Sequence, residues 1–192
     1  MSMIDMLFTC LLGMMVMLFI AMMLMAEQSK TGDIPAHAEF LISLEWDPKS
    51  GNDIDLWLKL PDGKKIFFRS KSHAGAFLDR DDIGSNNDFF YIENNEMRRV
   101  EINREVIAIR GIFPGTYTVN LHAYRLGGQD NSPIEKTKVI LNKINPISQI
   151  LAQKEIVLDK NGQEVTAFTF TVDSKGNVTD INTYFVPMVY DP

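Results

Sequence analysis

The sequence lacks several features on which enzymes and nucleic-acid-binding proteins commonly depend. Its single cysteine, Cys10, cannot form a disulfide within the chain. It has no run of four or more lysines and arginines, and its formal net charge of −6 argues against binding a phosphate backbone. Neither a G-x-S-x-G nor an H-E-x-x-H motif is present. We therefore predict no catalytic residues, no enzymatic activity and no nucleic-acid partner.

Charged residues are also absent from residues 6–25, which read MLFTCLLGMMVMLFIAMMLM. An α-helix of this length spans about 30 Å, the thickness of the hydrocarbon core of a bilayer. A secretory signal peptide would need a basic start and a small-x-small cleavage site. Residues 1–5 contain no lysine or arginine, and Leu24-Met25-Ala26 lacks the small residue at the −3 position. We predict a retained single-pass helix over residues 1–25, with a cleaved signal as the alternative.

Asp5 stands directly before this apolar run. An acid in the first turn of a helix complements the helix dipole, which is the simpler explanation of the residue. A carboxylate at the start of a membrane helix can also bind a cation or exchange a proton. Residue chemistry alone leaves both roles open.

Met3-Ile4-Asp5-Met6-Leu7 and the following apolar run resemble the single helix of ExbD, TolR and MotB-type proteins. The resemblance implies a homodimer formed through the helix and encircled by five copies of a multi-helix partner. It implies an ion-driven rotary motor in which Asp5 carries the coupling ion, a proton or sodium. It also implies a cytoplasmic N-terminus and a periplasmic or extracellular domain that engages an envelope or external target. The alternative is a membrane-tethered module that binds protein, glycan or calcium without ion coupling.

The remainder of the chain has the pattern of short strands. Residues 26–37 are polar and predict a tether. Apolar and polar residues alternate with a period of two in residues 40–46, 54–60 and 117–124. Further strands are expected at 65–69, 98–109, 136–144, 154–158, 164–172 and 178–185, with hairpin turns at 159–162 and 173–177 and the best short helical pattern at 146–153. We predict a mainly β chain, with an antiparallel sandwich over 38–126 and additional hairpins over 127–192 that complete or extend it.

The alternation also assigns residues to faces. Leu56 and Tyr117 should point into the core, and Trp57 and His122 should point outward. Residues 113–119 resemble the entry to strand F of an immunoglobulin-like sandwich, where a tyrosine bonds back to the backbone. Residues 51–63 and 75–82 resemble the Asp-x-Asp-Leu and Gly-x-x-Leu-Asp segments of YfaP-like bacterial sandwiches. These resemblances imply an immunoglobulin-like fold and say little about activity.

Two sets of side chains are candidates for binding. Outward-facing Trp57, with His122 and Tyr124, predicts a partner or glycan surface, unless a neighbouring loop at 64–75 covers the tryptophan. Acidic residues on adjacent segments predict a calcium site, because Ca²⁺ prefers six or more oxygen ligands. The alternative is a solvated set of loops whose acids pair with Arg69, Lys71 and Arg80. The acidic residues are Asp53, Asp55, Asp79, Asp81 and Asp82.

Overall fold

A computed structural model describes residues 3–25, 38–86, 88–92, 96–127 and 132–189. The chain divides into two compact units, Met1–Ile34 and Pro35–Pro192. The tether predicted at 26–37 lies outside the described residues.

The first unit contains one helix, α1 (Met3–Met25), with Asp5 in its first turn. The hydroxyl of Thr9 donates to the backbone carbonyl of Asp5, one turn earlier in the helix. The helix is long and apolar enough to cross a membrane, and a signal sequence near the N-terminus passes the same test. The predicted apolar helix is confirmed, while its retention and orientation stay predictions.

The second unit consists of β-strands joined by turns. The larger, six-stranded sheet contains β1 (Phe40–Trp46), β4 (Ser72–His73), β5 (Ala76–Arg80), β8 (Asn103–Ile109), β10 (Glu135–Lys143) and β11 (Gln149–Leu158). The other contains β2 (Asp53–Lys59), β3 (Lys65–Ile66), β9 (Gly115–Arg125), β12 (Glu164–Val172) and β13 (Val178–Asn182). A separate ribbon contains β6 (Phe89–Tyr91) and β7 (Met97–Arg99), preceded by a 3-10 turn at Gly84–Asn86.

All described strand pairs are antiparallel. The six-stranded sheet has the order β11-β10-β1-β8-β5-β4, and the five-stranded sheet has the order β13-β12-β9-β2-β3. The prediction of a mainly β chain with antiparallel sheets is therefore confirmed.

The core lies between the two sheets and follows the alternation of the sequence. β1 contributes Phe40, Ile42 and Leu44, and β2 contributes Leu56 and neighbouring apolar residues of the same face. Leu56 and Tyr117 are each 1% exposed, as predicted. Because side chains alternate along a strand, this register turns the intervening polar residues of β2 and β9 toward the outer face of the five-stranded sheet.

Tyr117 adds a polar anchor at the edge of this core. Its ring stacks on Phe170 with centroids 5.2 Å apart, and its hydroxyl donates to the carbonyl of Phe113 at 2.8 Å. The backbone hydrogen bond expected from residues 113–119 is confirmed. Burial raises the pKa of the Tyr117 hydroxyl to about 12.

The strands after residue 127 form two hairpins, β10-β11 and β12-β13, whose first strands are also built into the two main sheets. β10 pairs with β1 over Lys138–Lys143, and β12 pairs with β9, so both are interior strands of the main sheets. The turn at 159–162 joins strands of different sheets, and no helix forms at 146–153, where β11 begins. An immunoglobulin-like topology is not confirmed. The cause is that a local pattern shows where a strand lies but not which neighbour supplies its hydrogen bonds.

Candidate functional site

A pocket of about 420 Å³ opens on the outer face of the five-stranded sheet. Trp57 on β2 and His122 and Tyr124 on β9 form its floor, because all three lie opposite the core side of their strands. The segment after β3 and the C-terminal segment supply the remaining walls. The lining residues are Trp57, Phe67, Phe68, Arg69, His122, Tyr124 and Val189.

The aromatic rings of the pocket pack on one another. Trp57 and Phe67 are stacked, with centroids 4.0 Å apart and planes 12° apart. Phe68 meets Trp57 edge-on at 6.5 Å and Tyr124 edge-on at 6.1 Å. Aromatic pairs of this geometry stabilise a surface beyond the area they bury, by about 0.5–1.5 kcal/mol per pair. The floor of the pocket is therefore formed by rings that hold one another in place.

Trp57 lies on the outer face as predicted, but it is only 6% exposed. The strand expected at 65–69 ends at Ile66, and Phe67 and Phe68 then fold over the tryptophan. The alternative in which a loop within 64–75 covers Trp57 is confirmed. Its indole face is a wall of a partly closed pocket rather than an open platform.

Polar groups surround the rings. His122 Nδ1 lies 3.0 Å from Asp55 Oδ2, and both side chains are buried. These residues are cross-strand partners in the register of β2 and β9, so the sheet itself brings them together. At the rim, the guanidinium of Arg69 lies 5.2 Å from the centroid of Phe68, a cation–π contact.

The C-terminal strap, residues 183–189, lies over the outer face next to the pocket. Glu164 Oε1 accepts the backbone N–H groups of Met188 and Val189 at 2.7 and 3.1 Å. Lys65 Nζ donates to the carbonyl of Met188 at 2.8 Å, and Thr166 Oγ1 accepts Val186 N–H at 2.9 Å. Side chains of the sheet thus hold the backbone of the strap and place Val189 in the pocket wall.

The five aspartates of the predicted calcium site are divided among different contacts. Asp79 pairs with Arg110, Asp81 pairs with Lys71, and Asp82 pairs with Arg80. Among the described residues, no group of three or more His, Cys, Asp or Glu side chains could hold a metal ion. The pairs with Lys71 and Arg80 are those expected for charge-balanced loops. Calcium binding by these residues stays a prediction.

Buried acidic side chains of the β domain nevertheless influence one another. Burial, and next the charge of Asp55, raises the pKa of Asp53 to about 6. Glu105 on β8 is 1% exposed, and burial raises its pKa well above the usual range. Its carboxylate accepts Leu56 N–H at 2.7 Å and Asp82 N–H at 3.2 Å. Glu105 thus links the six-stranded sheet to β2 and to the loop after β5.

Two larger depressions, of about 630 and 670 Å³, lie on the other side of the domain. The first lies along β1, β10 and β11, and the second lies at the turn after β1 and the start of β10; both are lined mainly by charged and small polar side chains, including Lys136. Binding pockets combine apolar walls with a few convergent polar groups. The smaller aromatic pocket fits that description better, so we take it as the candidate site.

The structure brings Trp57, His122 and Tyr124 together in this pocket, as three residues of the predicted partner surface. Sequence reasoning placed Phe67, Phe68 and Arg69 in the covering loop at 64–75 without naming them as lining residues, and it missed Val189 altogether. The signal for the first two was the run Ile66-Phe67-Phe68 itself, in which two adjacent aromatics cannot both point into one core from a regular strand. No local signal pointed to Val189, which follows a segment without strand periodicity.

Comparisons with known proteins give one structural likeness. No protein-family profile and no curated protein matches the chain. Among solved structures, a homologue of the telluride resistance protein TerD from Streptomyces coelicolor A3(2) matches with 15% sequence identity and a TM-score of 0.46. The match covers 77% of this chain and 91% of that chain. A likeness at this level carries no information about activity.

The prediction of an ExbD, TolR or MotB-like motor subunit is wrong. No profile or curated protein of that kind matches, and the structural likeness is to a TerD homologue instead. The physical reason is that an acid before twenty apolar residues satisfies the helix dipole in any apolar helix, so it is not specific to motors. The ion-carrying role of Asp5 and the five-copy partner were implied only by that resemblance, so neither is retained. Dimerisation through the helix stays a prediction.

Proposed function

We propose that the chain is a membrane-anchored binding module whose β domain lies outside the cytoplasm and whose aromatic pocket binds a ring-shaped ligand. The observation that carries the proposal is the pocket built from Trp57, Phe67, Phe68 and Tyr124. Flat apolar faces of sugars and aromatic compounds pack well on such rings. His122 and Arg69 supply polar groups at the floor and rim, which would orient a ligand.

Ligand binding should depend on Tyr124, which is 54% exposed at the pocket and can be changed without opening the core. We expect the full chain, solubilised in detergent, to bind to glycans on a microarray. Tyr124→Ala should weaken that binding about five- to tenfold, because one stacking wall is lost. Tyr184→Ala is the matched control, because Tyr184 is 80% exposed on the strap and does not line the pocket. Equal binding by the two variants, or no glycan retained by the wild type, would contradict the proposal.

The location outside the cytoplasm is supported by α1 alone. An apolar helix ahead of a folded domain can export that domain, either as a retained anchor or as a cleaved signal. The uncharged run and the poor cleavage site favour retention.

Mass spectrometry of the membrane-extracted protein should therefore give a mass that includes residues 3–25. Protease added to intact spheroplasts should digest the β domain at its exposed loops. A mature chain that starts near Ala26 would remove the anchor from the proposal. A C-terminus that stays protected until the cells are lysed would place the domain in the cytoplasm.

A further inference from the structure

The rim of the aromatic pocket contains an arginine that has no acidic partner. Arg69 lines the pocket and is exposed, and it forms no salt bridge with an aspartate or glutamate among the described residues. Other arginines of this acidic chain do pair with carboxylates. They are Arg80, Arg98, Arg99, Arg104 and Arg110. The positive charge of Arg69 is therefore accessible both to solvent and to a group bound in the pocket.

The contacts of Arg69 place its charge beside the aromatic wall. Its guanidinium carbon lies 5.2 Å from the centroid of Phe68, and Phe68 in turn meets Tyr124 edge-on. A cation–π contact of this kind stabilises the guanidinium next to the ring without using its N–H donors. Those donors stay directed to neighbouring groups, and a ring seated on the pocket wall would be such a neighbour.

The acidic residues of the same sheet do not compete for this position. Among the described residues, no aspartate or glutamate lines the pocket. Asp55 is buried and pairs with His122. Glu164 accepts the amide of Asn120 at 2.5 Å as well as two backbone N–H groups of the C-terminal strap. An anion bound at Arg69 would therefore not face an unpaired carboxylate in the pocket wall.

We infer that the pocket binds a ring that carries a carboxylate, with Arg69 as its charged anchor, an inference that rests on the proposed function of the pocket. A guanidinium matches a carboxylate because it donates two parallel hydrogen bonds to the two oxygens. The ring to which the carboxylate is attached packs on the aromatic walls. A neutral ring makes only the second contact, so the site should prefer the acid. Uronic acids and other cyclic carboxylic acids have the required chemistry.

The net charge of −6 does not oppose such a ligand at short range. Charges separated by more than about 8 Å are largely screened at physiological ionic strength. The cation nearest along the pocket wall adds to the attraction, because Lys65 Nζ donates to the carbonyl of Met188, one residue before Val189. Local charge therefore decides the preference.

Two sugars that differ in one group test the inference: methyl β-D-glucuronide and methyl β-D-glucoside, in which a carboxylate replaces a hydroxymethyl group. Each is titrated at neutral pH into the full ¹⁵N-labelled chain in a nonionic detergent. The two tryptophans give two indole N–H signals, of which Trp57 reports on the pocket and Trp46 serves as a reference. We expect the glucuronide to bind about tenfold more tightly than the glucoside, because it gains charge-assisted hydrogen bonds. Raising the salt concentration from about 0.05 to about 0.5 M should lower this preference at least twofold.

Arg69→Gln removes the charge and should reduce the preference to less than about twofold, while the affinity for the glucoside stays within about twofold of the wild type. Arg104→Gln is the matched control. Arg104 is also an exposed arginine, but it lies on the six-stranded sheet and pairs with Glu45. It makes the same change in net charge outside the pocket, so it should leave the preference unchanged.

The outcomes separate the inference from the proposed function. If both sugars move the Trp57 signal and bind equally, the carboxylate inference is overturned while the pocket remains a binding site. A preference that survives in Arg69→Gln would overturn it as well, because the charge that selects the acid would lie elsewhere. If neither sugar moves the Trp57 signal, the pocket proposal fails, and the inference fails with it. The wild-type preference and its salt dependence decide the matter even if Arg69→Gln does not fold, which a displaced Trp46 signal would reveal.

Discussion

Leu56→Ala is expected to lower the free energy of unfolding by about 2–5 kcal/mol, the usual cost of truncating a buried leucine. Leu56 is 1% exposed on β2, and the residues around it come from both sheets. Strands that are paired by backbone hydrogen bonds cannot move freely into the space left by the missing methyl groups, so a cavity remains. Denaturant titration of the full chain in detergent, followed by near-UV circular dichroism, measures the loss.

Ile150→Ala provides the control for this measurement. Ile150 is 59% exposed on β11, so its truncation should change the free energy of unfolding by less than about 0.5 kcal/mol. If Leu56→Ala were equally mild, the core and outer faces of β2 would have to be exchanged. Trp57 would then be a core residue, and the aromatic pocket would not exist.

Glu105→Ala is expected to lower the free energy of unfolding by about 2–4 kcal/mol, because it removes the acceptor of two buried backbone N–H groups. One belongs to Leu56, the other to Asp82. Glu105→Gln keeps one acceptor oxygen and should cost less. If Glu105→Ala were as stable as the wild type, the carboxylate would not link the sheets.

The pH dependence of the free energy of unfolding, compared between the wild type and Glu105→Gln, tests the protonation state of the Glu105 carboxyl group. Burial raises the pKa of Glu105 in the folded protein above the value of 4.5 that an unperturbed glutamate has. The folded state then holds its proton more tightly than the unfolded state. This contribution to stability is fully present below pH 4.5 and is lost as the pH rises through the folded pKa. Wild type should therefore lose stability relative to Glu105→Gln between acidic and neutral pH, and parallel curves would contradict the raised pKa.

Several elements were predictable because their cause is local. α1 follows from twenty consecutive uncharged residues, and no distant contact is needed to make that segment an apolar helix. The faces of β2 and β9 follow from strict alternation, which a slip of one residue would reverse completely. The resemblance of residues 113–119 to the entry of an immunoglobulin-type strand also implied the hydrogen bond from Tyr117 to a nearby backbone carbonyl.

Other elements depended on partners that are distant in sequence. The predicted strand at 98–109 is two strands, β7 and β8, in different sheets. The turn at 159–162 crosses from β11 to β12 instead of closing a hairpin. Turn-forming residues mark where the chain reverses, but they do not select the strand that it meets afterwards.

The amino-acid sequence by itself determined that an apolar helix precedes a β domain, and it determined which side chains of β2 and β9 enter the core. Both depend on the hydrophobicity and spacing of neighbouring residues. Only the tertiary structure decided that Phe67, Phe68 and Val189 close a pocket over Trp57, and that Asn120 lies beside it. Those contacts join segments separated by up to about 130 residues, and they form because pairing of β2, β9 and β12 brings the segments to one face of one sheet.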